Sequence, residues 1–453
     1  MNQPKPRTKL VCTIGPASLE RVRELIDAGM SVARVNFSHG TADDHINAVH
    51  VVRAAAHQAR RSVAVMADLP GSKIRLADID GGERTLAAGE TFELQTDRPS
   101  LADELQVGDR VLLNDGAAEL RVSAVEEGSI ATEVVHGGLI RSKSGVGVPN
   151  ERLSGDGVTD ADREGVAHAL ELRVDLVAQS FVRTADDVHA LRALLPADNA
   201  PLFVAKIETR AAVDCFDEIV AAADGVMVAR GDLGVDLPFA DVPLVQKELL
   251  RKATAAGRFS IVATQMLESM TSSARPTRAE ASDVANAVLD GADAVMLSAE
   301  TAIGAYPVEA AQAMIDICLA TERGPAEGEA PPADYAGSIC RAAVDMANGG
   351  CGASAIWCFT RTGRTAELLA AAHPRVPVVA FTVNAVTARR LAVRGAIVPV
   401  VLPTAHPGQP LLDRMAVAAR LQRLTSADGK QTVIFVTTSS QAGGVNRLEL
   451  MQV

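Results

Sequence analysis

Short apolar runs rich in β-formers recur along the chain, and the segments between them carry apolar residues at helical spacing. The runs are "KLVCTIG" (9–15), "SVARVNF" (31–37), "VAVMADL" (63–69), "VDLVAQSFV" (174–182), "LFVAKIE" (202–208), "GVMVARG" (225–231), "FSIVATQM" (259–266) and "AVMLSAE" (294–300). Helical periodicity between them is clear in "SLERVRELIDAG" and "DDHINAVHVVRAAAHQA". Strands alternating with helices predict a parallel sheet. Eight such units predict an α/β fold built on a closed (β/α)8 barrel of about 250 residues.

One gap breaks the rhythm. Between Leu69 and Val174 the pattern changes to period two with glycine turns, in "TFELQT", "DRVLLNDG" and "AELRVSAVEEGSIATEVVHGG". This predicts a small inserted antiparallel β domain, a β-barrel lid over residues 71–153, interrupting a catalytic barrel of 1–70 and 154–325. After Ala320, "TERGPAEGEAPPAD" reads as a linker. Beyond it "ASAIWCF", "VPVVAFT", "AIVPVVL", "TVIFVTT" and "NRLELMQV" predict a separate open-sheet α/β domain over 334–453.

In a (β/α)8 barrel the chemistry lies at the C-terminal ends of the strands. Those ends carry Arg34, Asn36 and Ser38 on strand two, Asp68 on strand three and Ser180 on strand four. Lys206 and Glu208 follow on strand five, Arg230, Gly231 and Asp232 on strand six, Thr264 on strand seven, and Ser298 and Glu300 on strand eight. Lys206 and Glu208 are two apart in an apolar strand, so they share a face. Glu208 and Asp232, from neighbouring strands, suit magnesium, which takes few protein oxygens and completes its shell with water and substrate. Taken alone, each carboxylate reads more readily as the partner of a barrel lysine or arginine; taken together, with the cations beside them, they read as a metal-assisted site. Lys206 and Arg34 beside them supply fixed positive charge for a phosphoryl group. Arg75 near the lid hinge reads as a nucleotide-phosphate contact or as a solvated surface arginine. The glycine turn of "ARGDLGVDLP" offers backbone N–H groups to a carboxylate.

Composition narrows the function. With 453 residues, 48% of them hydrophobic, the chain builds two or three cored domains. Its net charge of −12 argues against nucleic acid as a partner. No apolar run reaches the roughly 18 residues of a membrane span, and no apolar segment of a secretory signal follows the basic N-terminus. The six cysteines, Cys12, Cys215, Cys318, Cys340, Cys351 and Cys358, form no C-x-x-C pair. That spacing argues against zinc and for a reducing, cytoplasmic setting.

Together these segments resemble the pyruvate kinase family. The matching stretches are "TKLVCTIGPAS", "GMSVARVNFSHG", "FVAKIET", "DGVMVARGDLGV", "ATQMLESM" and "RPTRAEASDVANAVLDGADAVMLSAETAIGAYPVEA". The resemblance implies transfer of a phosphoryl group from phosphoenolpyruvate to ADP, giving pyruvate and ATP. It implies Mg2+ on Glu208 and Asp232, with Mn2+ as a substitute, and Lys206 and Arg34 around the phosphoryl group in flight. Thr264 and the backbone of Arg230, Gly231 and Asp232 then cradle the substrate carboxylate and enolate. Asn36, Phe37, Ser38, His39 and Arg75 fall at nucleotide-contacting positions, and Ser298 and Glu300 in the region of the proton relay to the enolate. Asn36, Ser38, Asp68 and the Leu69 carbonyl match the family's K+ site. Potassium-dependent members typically read "DTKGPEIR" where this chain reads "DLPGSKIR", so Lys73 stands in place of a glutamate. A tethered ammonium there implies activity without K+. Pro70, Ser72 and Ala299 are further departures with no clear consequence.

In the C-terminal domain "CFTRTGRTAEL" places Thr360, Arg361, Thr362, Gly363, Arg364 and Thr365 between a strand and a helix. This reads either as a phosphate cradle for a sugar-phosphate or AMP effector or as an ordinary capped turn. The loop "TSSQAGGVN" offers no second cationic arm. The family resemblance implies a homotetramer. Two rival functions remain at this point: a magnesium-dependent oxo-acid aldolase or lyase, and a catalytically inactive sensor of a phosphorylated metabolite.

Overall fold

The structure, a computed structural model, describes residues 6–114, 116–126, 128–148, 157–324, 334–403, 409–425, 431–437 and 447–453. Eight parallel strands close into a barrel: β1 (Lys9–Thr13), β2 (Met30–Asn36), β3 (Ala64–Asp68), β11 (Leu176–Gln179), β12 (Leu202–Ile207), β13 (Gly225–Ala229), β14 (Phe259–Ala263) and β15 (Ala294–Leu297). Their order around the ring is β1-β15-β14-β13-β12-β11-β3-β2.

Strand periodicity sorts the side chains into two cores. Residues of one parity, among them Leu10, Cys12, Val35, Ala67, Phe203 and Val228, pack outward against the helices. Residues of the other parity, among them Val11, Val32, Met66, Ala178, Val204, Met227 and Ile261, fill the barrel interior. Capping boxes start several surrounding helices: the Thr277 hydroxyl accepts from Glu280 N–H, and the Glu280 carboxylate accepts from Thr277 N–H at 2.7 Å.

The insert follows β3. Its strands β4 (Glu83–Thr85), β5 (Thr91–Leu94), β6 (Arg110–Leu113), β7 (Ala118–Glu126), β8 (Ser129–His136), β9 (Leu139–Arg141) and β10 (Val146–Gly147) pair antiparallel. They form a five-stranded sheet, β10-β6-β7-β8-β5, and a two-stranded sheet, β4-β9, rather than one closed ring. One core with Phe92, Leu113, Leu120 and Ile140 holds the insert together. Gly147 seats it on the helix Arg230–Asp236 of the barrel, because a Cβ there would stand 2.0 Å from the Val235 side chain.

The C-terminal sheet has the order β18-β17-β16-β19-β20, from β16 (Ala355–Phe359), β17 (Val378–Thr382), β18 (Ile397–Val401), β19 (Thr432–Thr437) and β20 (Arg447–Gln452). Only β20 is antiparallel to its neighbour. This layer docks on the N-terminal end of the barrel, opposite the predicted mouth. Ala392 and Val393 join the interior core, and Arg394 lies over the Phe259 ring at 5.3 Å. Buried Asp175 accepts from Arg389 at 2.8 Å, from Arg53 at 2.7 Å and from Val65 N–H at 2.9 Å. Most of the expected linker, and the loop "TSSQAGGVN", lie outside the described residues. No helix among the described residues is long and apolar enough to cross a membrane.

Candidate active site

Toward the C-terminal ends of the strands the interior parity turns from apolar to charged. Above Val11, Val32, Met66, Ala178 and Val204 come Thr13, Arg34, Asp68, Ser180 and Lys206, with Glu208 one step further. Lys206 is the hub. Its Nζ lies 3.0 Å from Glu208, 3.2 Å from Asp68 and 2.7 Å from the Ser180 hydroxyl. Arg34 Nε donates to the other Asp68 oxygen at 2.6 Å, and its Nη1 donates to the Thr13 hydroxyl at 3.0 Å. The Ser180 hydroxyl donates to the Leu69 carbonyl at 2.7 Å. The cation and anion at the end of this apolar strand thus belong to one network that draws on the ends of five neighbouring strands.

Burial makes this network electrostatically strong. It disfavours the Asp68 carboxylate, but Lys206 and Arg34 outweigh it and hold the group below the usual range. Burial likewise opposes the Lys206 ammonium, and Asp68 and Glu208 reverse the balance, so this lysine stays charged. Glu208 goes the other way. Burial raises it, Lys206 pulls it down, and Asp232 raises it again, so it rests above the ordinary carboxylate range. A buried carboxylate held in that state next to a second one fits a divalent cation. Phe181, in the left-handed region at φ +55°, aims its N–H at Glu208 Oε2 at 2.7 Å. Among the described residues no three or more His, Cys, Asp or Glu side chains form a protein-only metal cage. A two-carboxylate magnesium site, completed by water and substrate, needs none.

Asp232 lies on the first turn of a helix rather than on a strand, since β13 ends at Ala229. Lys73, from the lid hinge, pairs with it at 3.0 Å. Beside this pair opens a cleft of ≈ 50 Å³ lined by Ser72, Lys73, Val146, Gly147, Glu208 and Asp232, so the insert overhangs the carboxylate pair. Gly231 donates its N–H to the Thr264 hydroxyl at 2.7 Å; a Cβ on Gly231 would lie 3.3 Å from that oxygen.

Three predicted site residues sit differently from the expectation. The Arg230 guanidinium is turned onto the Thr264 and Gln265 carbonyls at 3.0 and 3.1 Å and onto Asp283 at 2.7 Å. Glu300 is buried and accepts from Leu267 N–H at 3.0 Å and Ser298 N–H at 2.7 Å. It lies near outward-facing Cys12, whose thiol is pushed up by burial and by this carboxylate. Lys73 pairs with Asp232, whereas the Asp68 oxygens contact Arg34, Lys206 and Ser180.

At the positions expected to face a nucleotide, Asn36 Oδ1 accepts from Ser38 N–H at 3.1 Å. His39 is held below its usual range by burial and then by Arg75, Arg34 and Lys73, which places three cations around this turn. Arg75 Nη1 donates to the Lys143 carbonyl of the insert at 3.4 Å. His45 was not foreseen: its Nε2 donates to the His39 carbonyl at 2.8 Å and its ring stacks on Phe37 at 4.4 Å. Its place four residues into the helix Ala42–Ala59, on the face toward β2, was the available signal. In the C-terminal domain Gly363 has φ +104° and donates to the Thr360 hydroxyl at 2.9 Å, while Arg364 is tied to Asp334 at 2.6 Å.

Fixed cations interleaved with carboxylates at the open end of such a barrel are the equipment of a metal-assisted phosphotransferase. Family models for the pyruvate kinase barrel domain and the pyruvate kinase alpha/beta domain match residues 5–311 and 337–451. The chain is 39% identical to a pyruvate kinase of Geobacillus stearothermophilus, across 99% of this chain and 80% of that protein. It is 44% identical to one of Mycobacterium tuberculosis, across 83% of each, and 44% identical to one of Thermococcus litoralis, across 71% of each. The chain belongs to the pyruvate kinase family.

Proposed function

We propose that this chain transfers the phosphoryl group of phosphoenolpyruvate to ADP, giving pyruvate and ATP. The observation that carries the reading is the buried Arg34–Asp68–Lys206–Glu208 network at the barrel mouth, beneath the insert. The bond from phosphorus to the enol oxygen breaks, a bond to the terminal ADP oxygen forms, and the enolate left behind takes a proton at C3. Lys206 and Arg34 neutralise the phosphoryl oxygens in transit. Glu208 and Asp232 would hold magnesium, or manganese in its place, which would supply Lewis-acid neutralisation of the negative charge on the substrate. Thr264 and the backbone at Gly231 and Asp232 hold the substrate carboxylate. Asn36 to His39 and Arg75 face the nucleotide, and the insert at 71–153 closes over it to exclude water. For the proton relay we assign Ser298, whose buried hydroxyl has no hydrogen-bond partner among the described residues. Glu300 serves by fixing the Ser298 turn.

Lys73 pairs with Asp232 and not with Asp68, yet it still adds a tethered cation to the same mouth, so K+ is not required. Phe239, Leu244 and Ile303 are exposed, as is Leu450 on edge strand β20; these surfaces suit burial in a homotetramer. A loop closed by Thr360 and Gly363 suits a phosphorylated effector of the 334–453 domain. The decisive experiment is a coupled assay for pyruvate from phosphoenolpyruvate and ADP with and without Mg2+. Metal-dependent turnover supports the assignment. Cleavage of a 2-oxo-4-hydroxy acid without phosphoenolpyruvate turnover would establish the lyase reading. Binding of a sugar phosphate without turnover would establish the inactive sensor.

A further inference from the structure

Thr264 and Gln265 both lie in the left-handed backbone region, at φ +66° and +54°. Two consecutive non-glycine residues there are strained, and a β-branched threonine more so, so the surroundings must hold them. The holding group is visible. Arg230 Nη2 donates to both of their carbonyls, at 3.0 and 3.1 Å, and lies 2.8 Å from Met266 Sδ. Its Nη1 is anchored 2.7 Å from the Asp283 carboxylate, on the helix Arg278–Leu289. The arginine side chain is 9% exposed. Its guanidinium thus spans two carbonyls on one side and a carboxylate on the other, a task for a planar fork with several donors and not for a point charge. In the same backbone curl the Thr264 hydroxyl accepts from Gly231 N–H at 2.7 Å, at the start of the turn that carries Asp232, and donates to the Ala263 carbonyl at 2.6 Å.

We propose that Arg230 is a positioning residue for the phosphoryl donor: braced by Asp283, it holds the left-handed Thr264–Gln265 pair and so fixes the Thr264 hydroxyl against Gly231, at the turn assigned to the donor's carboxylate and enolate. The proposal rests on the assignment of Thr264 to that site.

The test uses the full chain with three single substitutions, Arg230→Lys, Asp283→Asn and Thr264→Val, and the double substitution Arg230→Lys with Gln265→Gly. Steady-state kinetics are measured for both substrates, with oxalate affinity by calorimetry as a probe of the enolate site. Arg230→Lys is expected to raise KM for phosphoenolpyruvate and Kd for oxalate at least tenfold while KM for ADP stays within twofold. Asp283→Asn shifts the same two quantities in the same direction by less. Glycine at 265 relieves the left-handed strain and recovers at least threefold of the loss. A merely structural arginine would move both substrates together. An equal shift for ADP and phosphoenolpyruvate, or donor constants unchanged within twofold, overturns the proposal. If Arg230→Lys does not fold, the split in Asp283→Asn decides by the same criterion. Thr264→Val separates the two assignments: no change in donor constants removes Thr264 from the site, whereas a large change alongside an inert Arg230→Lys removes only the clamp.

Discussion

Lys206→Met removes the hub of the mouth while keeping most of its apolar bulk. Two carboxylates lose a partner: Glu208 at 3.0 Å and Asp68 at 3.2 Å. Each contact is worth roughly 5 kcal/mol of Coulomb energy at an effective dielectric constant near 20. Most of that is offset by desolvation, and removing one member of a buried pair typically costs about 3–5 kcal/mol net. The lower end applies here, because Asp68 keeps Arg34 at 2.6 Å and Glu208 keeps the Phe181 N–H at 2.7 Å. Glu208 already stands above the ordinary range, and without the ammonium it rises further and relieves the repulsion by binding a proton. Stability should therefore fall by about 3 kcal/mol, while kcat falls roughly 1000-fold, equivalent to about 4 kcal/mol of transition-state stabilisation. The two effects separate cleanly. Melting is followed by circular dichroism, and kcat by coupled pyruvate formation at 25 °C, where the variant stays folded. The Mg2+ needed for half-saturation should rise more at pH 6 than at pH 8, because the metal requires Glu208 deprotonated. A folded Lys206→Met protein with kcat within threefold of the parent would refute the role given to this lysine.

Three further outcomes are expected. In tetramethylammonium buffer the parent retains its rate, whereas Lys73→Glu loses it many-fold and regains it on adding K+; a parent that itself needs K+ defeats the argument. Burial draws the Lys9 ammonium from 10.5 to about 8, with Glu322 and Asp293 only partly opposing the shift. The unfolded chain thus holds this proton to higher pH than the folded one, so the folding penalty carried by charged Lys9 is full below about pH 8 and fades as pH climbs to 10.5. Lys9→Met should accordingly stabilise at pH 7 by up to about 3 kcal/mol, with the gain shrinking across that window; a melting-temperature difference that does not vary with pH contradicts this. Arg389→Ala takes one arginine from buried Asp175 at the far end of the barrel and leaves it Arg53 and the Val65 N–H. It should cost about 1–3 kcal/mol by calorimetric melting and leave kcat within twofold; a large loss of kcat would mean that the far end is coupled to the mouth.

What the sequence made legible follows from period two. Parity puts Lys206 and Glu208 on one face, and Arg34, Asp68 and Ser180 join them as the C-terminal ends of neighbouring barrel strands; the structure brings all five together. Legibility ended where the period changed. β13 stops at Ala229 and β15 at Leu297, so Asp232 and Glu300 lie in helical turns. Asp232 still meets Lys73 at the mouth, but Glu300 caps the backbone behind it. Arg230 was misplaced for a different reason. Sequence shows where a strand ends, but not which way a long guanidinium folds, and two carbonyls exposed by a left-handed kink drew it aside. No local signal marks such a kink at Thr264, a residue that ordinarily avoids it.

The charge count at the mouth connects these observations to substrate order. Arg34, Lys206 and Lys73 face Asp68, Glu208 and Asp232 in mutual contacts, three cations against three carboxylates, so the protein alone presents no net charge there. An incoming phosphoenolpyruvate brings a carboxylate and a phosphoryl group, about three negative charges. A neutral buried mouth gives it little reason to leave water. A divalent cation on Glu208 and Asp232 changes the balance to +2, and it displaces no protein cation from Asp68, where Arg34 and Lys206 are fixed. Donor affinity should then depend steeply on the metal, and nucleotide affinity, which the proposal assigns to Arg75 and the Asn36–His39 turn, much less. On this proposal the acidic chain as a whole repels phosphoenolpyruvate, and the barrel mouth attracts it only once a divalent cation is added to three cations balanced by three carboxylates.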